Sequence, residues 1–475
     1  MISAAWSFNR LFIAPLAASA FLLAGCGGTP ATQPTTTPEV SANAAKARPA
    51  PKPKKPELPP GLSLSGLGRI ETRTTASPLQ NLFALNRPEG EAPPVRVGLL
   101  LPLTGAAANA GTMMLDAAQM ALFDSGERRL MLVPLDTEST PEGAQRAAQT
   151  AATQGVDIIL GPLFSAHVQL VADTVASRNI PVLAFSNDVA AAGRNAAVLG
   201  LAPEAEIRRI LEYASFLRLT EIGAFLPDSE YGLLIGRHFE VIAPELGLNP
   251  VRLNYYPAGA EADNETLLFA AKDFADYDLR RKALEEERAL LTGKEDEASK
   301  RALKRMEVLD TFGDPPFQAV LLAEPRGRLA TVAPLLAFYD VDPATVQFLG
   351  LGSWYGHNLQ AEPTLVGAVF PGPEPQLYDT MTSRFSGFFG YEPGRLAAVA
   401  YDAVAMTASI VATKGGDRPL TNEAIHNPGG FAAYYGPFRV LPSGQTERLL
   451  PVLKVTRDGL QVADPARASF DPLLN

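Results

Sequence analysis

An α/β fold of two lobes, each built on a parallel sheet, is what this sequence predicts, and three observations carry the prediction. The stretch Val95–Leu101, VRVGLLL, is a nearly continuous apolar run, as expected of a central parallel strand covered on both faces. Strand-like and helix-like segments then take turns with short connections, the pattern of right-handed βαβ crossovers. A second series of the same kind follows residue 204, so the chain holds two such units.

The elements follow in order. After a Pro/Thr/Gly loop, Thr112 can cap a helix over 112–123, and 130–135 reads as a strand. Helices over 141–154 and 165–178 alternate with strands over 157–160 and 181–185. The second series has helices over 204–217 and 231–246 and strands over 221–226 and 251–255. It resumes later with strand 318–322, helix 327–339 and strand 345–349. Helices over 376–389 and 395–411 and strands over 431–440 and 449–455 complete the body. Between the two parts of the second series lies a charged, helical insertion, about 262–314. Tyr277, Leu284 and Leu291 recur at seven-residue spacing, Ala302, Met306 and Leu309 form another stripe, and Gly293 separates them, which predicts a helical hairpin. Asp278 with Lys282 and Glu297 with Arg301 stand at i,i+4, worth a few tenths of a kcal/mol each. Lobe 1 is expected at about 95–203 and 367–430, lobe 2 at about 204–366 and 431–455, and a tail at 456–475.

The amino-terminal part differs in kind. The fourteen residues 11–24 are mostly apolar, too short to span a bilayer that needs about 20. They read as the core of a signal peptide, 1–25. Cys26 is the single cysteine among 475 residues and follows Leu23-Ala24-Gly25; one thiol forms no internal disulfide. From Gly27 to Pro60 the chain carries nine prolines and almost no large apolar residue, so it buries too little surface to offset ordering entropy. Residues 26–94 are read as a Pro-rich flexible tether. Beyond residue 26 no apolar run approaches membrane-spanning length.

A formal charge of −10 argues against nucleic acid, which requires a basic face. The four histidines, His167, His238, His357 and His426, lie far apart without ligand spacing. No GxSxG, HExxH or GxxxxGK[ST] motif occurs, and Gly350 to Gly356 misses the dinucleotide spacing. No catalytic residue, cofactor or metal is expected. Ligands of open α/β sheets bind beyond the carboxyl ends of the strands. The loops expected there hold Thr104, then Ser165 at a helix start suited to anions, then Ser186 and Asn187. In the second lobe Tyr231 follows Asp228-Ser229-Glu230, and Ser353 with Trp354 follows the strand at 345–349. These residues form the expected ligand cleft between lobes.

The segments VRVGLLLPLTG, DIILGPLFS, IPVLAFSND and DSEYG, in this order, resemble the type 1 periplasmic binding-protein fold of branched-chain amino-acid receptors over about 95–455. That resemblance implies that Ser165 and groups around Ser186 hold a ligand carboxylate and that Tyr231 lines the pocket. It also implies an acid for the ligand ammonium in the loop after 345–349, and here Gly350 to Asn358 contains none. The helical insertion and the run LLAFYDVDPATVQFLGLGSWYGHNLQAEPTLVGAVFPGPEP are similar to one branch, the penicillin-binding protein activators (LpoA/LppC-type lipoproteins). Those carry an additional helical-repeat domain, for which the linker here is too short. Leu23 to Cys26 resembles the bacterial lipobox, which implies lipidation of Cys26. Gly27, in place of an acid, implies the outer membrane, with the body facing the periplasm.

The resemblance to activators implies a non-enzymatic lipoprotein that regulates a bifunctional peptidoglycan synthase, with the insertion as docking surface. The alternative is the substrate-binding lipoprotein of a branched-chain amino acid or amide ABC transporter, with a small molecule in the cleft. Cys26→Ser tests the anchor: the variant is expected in the soluble fraction, and continued partition with membranes refutes lipidation.

Overall fold

The structure, a computed structural model, describes residues 92–193, 195–259, 264–324 and 328–470, all within one compact unit, Ala84–Asn475. The expected signal peptide, Cys26, nearly all of the tether and residues 471–475 lie outside the described residues.

The first lobe begins with β1 (Val95–Leu101), α1 (Ala108–Ser125), β2 (Leu130–Asp136), α2 (Pro141–Thr153), β3 (Ile158–Leu160), α3 (Ser165–Val175), β4 (Val182–Ala184) and β5 (Ala196–Val198). Its sheet runs β2-β1-β3-β4-β5, parallel throughout. Helix α1 begins at Ala108, before the expected cap Thr112, and Ala107 ahead of it makes no side-chain cap; α2 starts as its sequence allows. Thr140 caps α2 by accepting from Gly143 N–H, with Pro141 in the first turn, where its missing N–H costs nothing. Small side chains at Ala144, Ala147, Ala148, Ala151 and Ala152 let α2 lie close on the sheet.

The second lobe follows with α4 (Pro203–Phe216), β6 (Glu221–Asp228), α5 (Glu230–Glu245), β7 (Asn249–Pro257), α6 (Asn264–Phe274), α7 (Tyr277–Leu291), α8 (Glu297–Met306), β8 (Ala319–Leu322), α9 (Leu329–Phe338), β9 (Gln347–Leu349) and β10 (Val369–Pro371). The chain returns to the first lobe for α10 (Pro375–Phe389), α11 (Arg395–Lys414), α12 (Asn422–Ile425) and the antiparallel hairpin β11 (Phe438–Val440) and β12 (Thr446–Arg448). It closes on the second sheet with β13 (Val452–Thr456) and β14 (Gly459–Asp464), giving the order β14-β13-β10-β9-β8-β6-β7. Separate apolar cores cover both faces of each sheet, so each lobe is a helix–sheet–helix sandwich.

The structure corrects several expectations. Residues 369–371 belong to the second sheet, because β10 pairs with β9 and β13. Residues 431–448 belong to the first lobe, not the second. Thr446 Oγ1 donates to Val198 O at 2.7 Å, and Phe438 and Val440 enter the first-lobe core. The crossings therefore fall near 199–203, 371–375 and 449–451. The tail is partly a strand: β14 pairs antiparallel with β13 across the turn before Gly459.

The insertion is also narrower than expected. Helix α6 buries Leu267, Ala271 and Phe274 in the second-lobe core and is the ordinary crossover between β7 and β8. Only α7 and α8 with their flanks are added. Asp278 pairs with Lys272, not Lys282, and Glu297 with Lys300, because neighbouring cations are nearer than the i,i+4 partners. Arg280 fastens the insertion. Its guanidinium, 8% exposed, donates to the carbonyls of Gly313 and Asp340 and to Asp340 Oδ2 at 3.0 Å, tying both ends of the hairpin to the turn after α9.

Among the described residues, α11 is long and apolar enough to cross a membrane, but most of it is buried inside the first lobe against α1. It is the helix expected over 395–411, a core helix of the first lobe, and it corrects the expectation that no apolar run beyond residue 26 approaches membrane-spanning length. Within it Asp402, 1% exposed, accepts the N–H groups of Tyr434 and Tyr435 at 2.8 and 3.2 Å. Arg448 Nη1 lies 3.5 Å away, its guanidinium over the rings of Phe438 and Tyr435. Burial pushes the Asp402 carboxyl up to about 6, against the pull of Arg448 and the two N–H groups.

Removing Arg448 strands that buried charge. Arg448→Met is expected to cost about 3–5 kcal/mol at pH 8, with a smaller loss at pH 5, where the carboxyl takes up a proton. Denaturant unfolding at the two pH values checks this, and equal losses contradict it.

Candidate functional site

The carboxyl edges of both sheets face the lobe junction, and most of the expected residues stand there. Gly161, at φ +117°, ends β3 so tightly that a Cβ would lie 2.2 Å from Leu100 O; no other residue fits. The loop it starts delivers Ser165 as the first residue of α3, whose capping position is Phe164 and carries no side-chain cap. His167, two residues on, is buried beside Phe164. Its Nδ1 has no partner, and burial holds the imidazole below its ordinary pKa.

Two of the expected first-lobe residues, Thr104 and Ser186, are engaged locally. Thr104 Oγ1 donates to Asp136 Oδ2 at 2.7 Å, so its hydroxyl braces the loop. Desolvation raises the Asp136 carboxyl, but hydrogen bonds from the Thr104 hydroxyl and the N–H groups of Glu138, Thr104 and Leu103 outweigh it and hold the group below its usual range. Ser186 Oγ, buried, accepts from Asp188 N at 3.0 Å. Asn187 beside it is exposed. Among the described residues, Thr104, Ser165, Ser186 and Asn187 make no hydrogen bond or ion pair with the cluster formed by the other side.

That cluster gathers Tyr231 and Ser353 with three residues the sequence reading missed: Glu206, Arg395 and Tyr435. Ser229 caps α5 by accepting from Gly232 N, which sets Tyr231 in its first turn. Glu206, in the first turns of α4, is 4% exposed. Its carboxylate accepts Gly352 N at 3.0 Å and meets Arg395 Nη1 at 3.4 Å. Arg395 opens α11, behind an N-cap Gly394 with no side-chain bond, and also donates to the Tyr435 hydroxyl at 3.3 Å. A Cβ at Gly352 would lie 2.4 Å from Glu206 Oε1. The acid absent from the Gly350–Asn358 loop is thus supplied by α4, and it already faces a cation from the other lobe.

Burial raises the Glu206 carboxyl, outweighing Arg395, the Gly352 N–H and Arg448. It also raises the Tyr231 phenol, with Glu206 adding to the effect and the neighbouring Ser353 hydroxyl opposing it. Tyr231 is therefore a neutral hydroxyl at physiological pH. Ser353 is 6% exposed, and its Oγ has no well-formed hydrogen bond. Tyr355, Tyr378 and Tyr435 stack edge-to-face beside the cluster, with centroids 4.9 and 5.9 Å apart. Trp354, expected in the cleft, is fully buried in the second-lobe core and packs on Phe370. The short helical turn Gly352–Trp354 leaves it facing inward.

Among the described residues, no group of three His, Cys, Asp or Glu side chains could hold a metal. A cavity of about 540 Å³ lies elsewhere in the first lobe, between α11 and the loop around Asn427, with Lys414 and Glu423 in its lining.

Two helix–sheet–helix lobes joined by crossing segments, with polar residues gathered at facing strand ends, make up a bilobal binding-protein fold. Residues 94–460 match the periplasmic binding-protein family, and the chain belongs to that family, whose members face the periplasm and bind substrates. A branched-chain amino acid ABC transporter protein from Rhodospirillum rubrum is similar in structure, with a TM-score of 0.59 and 17% identity over 78% of this chain and 99% of that one. So is a solute-binding protein of Rhodopseudomonas palustris BisB5 in complex with 3,4-dihydroxy benzoic acid, at a TM-score of 0.54 and 16% identity over 79% and 97%. In sequence, an uncharacterized protein of Rickettsia prowazekii (strain Madrid E) is 24% identical over 168 residues, 35% of this chain and 45% of that protein. The matched stretch thus spans less than half of that relative.

Asp136→Ala removes the acceptor that holds the Thr104 loop, and a cost of about 1–3 kcal/mol at pH 7 is expected. Because the native carboxyl titrates below 3.8, its contribution is complete above that value and is lost as pH falls through the lower native value. Melting of wild type and variant should converge in acid, and a constant gap would contradict this assignment.

Proposed function

We propose that the chain is a non-enzymatic receptor for a small molecule, the substrate-binding component of an ABC-type importer. Its ligand would occupy the lobe junction at Tyr231, Ser353 and Arg395, with Ser165, Ser186 and Asn187 on the facing edge. The observation that carries this reading is Arg395, a partly exposed guanidinium at the junction that bonds Glu206 and Tyr435 through Nη1 alone and so keeps donors for an anionic group. Similar folds are recorded with 3,4-dihydroxy benzoic acid, with benzoate and with Leu, which supports a small acid or amino acid as cargo. By the lipobox resemblance, Cys26 would carry the lipid, and Gly27 favours the outer membrane.

A second reading, regulation of a peptidoglycan synthase, is favoured by the insertion. Its hairpin and the segment after it leave Leu279, Leu290 and Val308 exposed, apolar side chains suited to a protein partner.

Thermal melting of the full chain against amino acids, their amides and aromatic acids separates the readings. A ligand at 100 times its Kd should add about 2.7 kcal/mol of stability. If the whole panel leaves melting unchanged while a synthase co-purifies and is lost on deleting 277–306, the receptor reading gives way to the second.

A further inference from the structure

We propose that Arg395 is the residue that selects the ligand, and that the cleft takes a small organic acid whose carboxylate replaces water on the guanidinium, with no requirement for an ammonium group. The inference deepens the receptor reading and rests on it. Arg395 reaches the junction from the start of α11, a helix whose N-terminal Gly394 offers no side-chain cap. It uses only Nη1, toward Glu206 and Tyr435 at 3.4 and 3.3 Å. Among the described residues its Nε and Nη2 hydrogens have no partner. A guanidinium presents five donors in a planar fork that matches a carboxylate edge, so most of its capacity is unspent.

Two hydroxyls stand on the same side. The Tyr231 hydroxyl neighbours Arg395 and the buried Ser353 hydroxyl. Arg395 thus offers its fork to one anionic group, with the Tyr231 hydroxyl beside it and the edge-to-face tyrosines as an apolar wall. A ligand ammonium fares badly here. The acid at this spot, Glu206, is held by Gly352 N and already faces Arg395. Glu324, at the end of β8, accepts the Tyr256 hydroxyl at 2.7 Å. An incoming cation would also meet Arg395 itself.

The test uses matched probes on the full chain: isocaproate, its amide and L-leucine share one carbon skeleton, and benzoate and benzamide form a second pair. Titration calorimetry at neutral pH should find each acid bound at least about tenfold tighter than its amide, and isocaproate tighter than leucine. Arg395→Lys keeps a cation beside Glu206, and so the fold, but loses the fork; acid affinity should fall about tenfold with unliganded melting unchanged. Glu206→Gln removes the competing carboxylate and should tighten acid binding, an effect that a purely structural Arg395 would not produce. If acids bind and Arg395→Lys binds them equally well, the assignment of Arg395 is overturned while the receptor reading stands. Leucine outbinding isocaproate overturns the acid class. Binding of none of the five probes overturns the receptor reading and this inference together.

Discussion

Two carboxylates buried where the lobes join are the constraint on which the rest of the molecule depends. Asp402 gathers the N–H groups of Tyr434 and Tyr435 and sets Arg448 against the rings of Phe438 and Tyr435. That arrangement places the Tyr435 hydroxyl beside Arg395 and Glu206. Neither carboxylate could stay ionised in such a place alone, since desolvation of an isolated charge is far too costly. Each is therefore matched by an arginine and by backbone donors. The pairing fixes the crossing segments to one another: Gly372 N meets Pro451 O at 3.3 Å, and Arg209 donates to Leu450 O at 2.8 Å.

The same economy explains which hydroxyls at the cleft are committed and which are free. Thr104 and Ser186 complete their own loops through Asp136 and Asp188, so they shape the first-lobe edge. On the other side, Glu206 takes the place that a side chain at 352 would fill and presents an internal ion pair to the junction. Among the described residues, the outer hydrogens of Arg395 are left unspent, while Glu206 is held by Gly352 N and Arg395.

Away from the junction, the insertion is fastened by the buried Arg280, with Lys272 and Arg252 pairing with Asp278 and Asp276 at its start. Arg280 bridges the two ends of the α7–α8 hairpin and Asp340, while Leu284 and Met306 supply a modest apolar footing. The second-lobe sandwich closes without it, because α6 already makes the crossover from β7 to β8. An element attached this way can diverge in sequence with little consequence for the sheet, and its exposed apolar side chains lie outside the core.

Periodicity was enough to read the α/β alternation, because apolar runs such as Val95–Leu101 and capped helices such as that at Thr140 are local signals. It also located the loops carrying Ser165, Ser186, Tyr231 and Ser353, since strand ends follow from strands. β5 and β10 escaped: Ala196-Ala197-Val198 is only weakly apolar and Val369-Phe370-Pro371 ends on a proline, whereas β3, β4 and β9, equally short, stand in stronger apolar runs. Trp354 was misplaced because a glycine-rich loop does not reveal which way its aromatic turns. Glu206 and Arg395 lie at helix starts, the ordinary place for an acid and an unremarkable one for an arginine, so nothing local marks them as partners. By itself the sequence determined the α/β alternation and the loops that follow the strand ends. Tertiary structure alone decided which charges are buried against each other, because a desolvated pair joins residues 189 positions apart and leaves no trace in either local sequence.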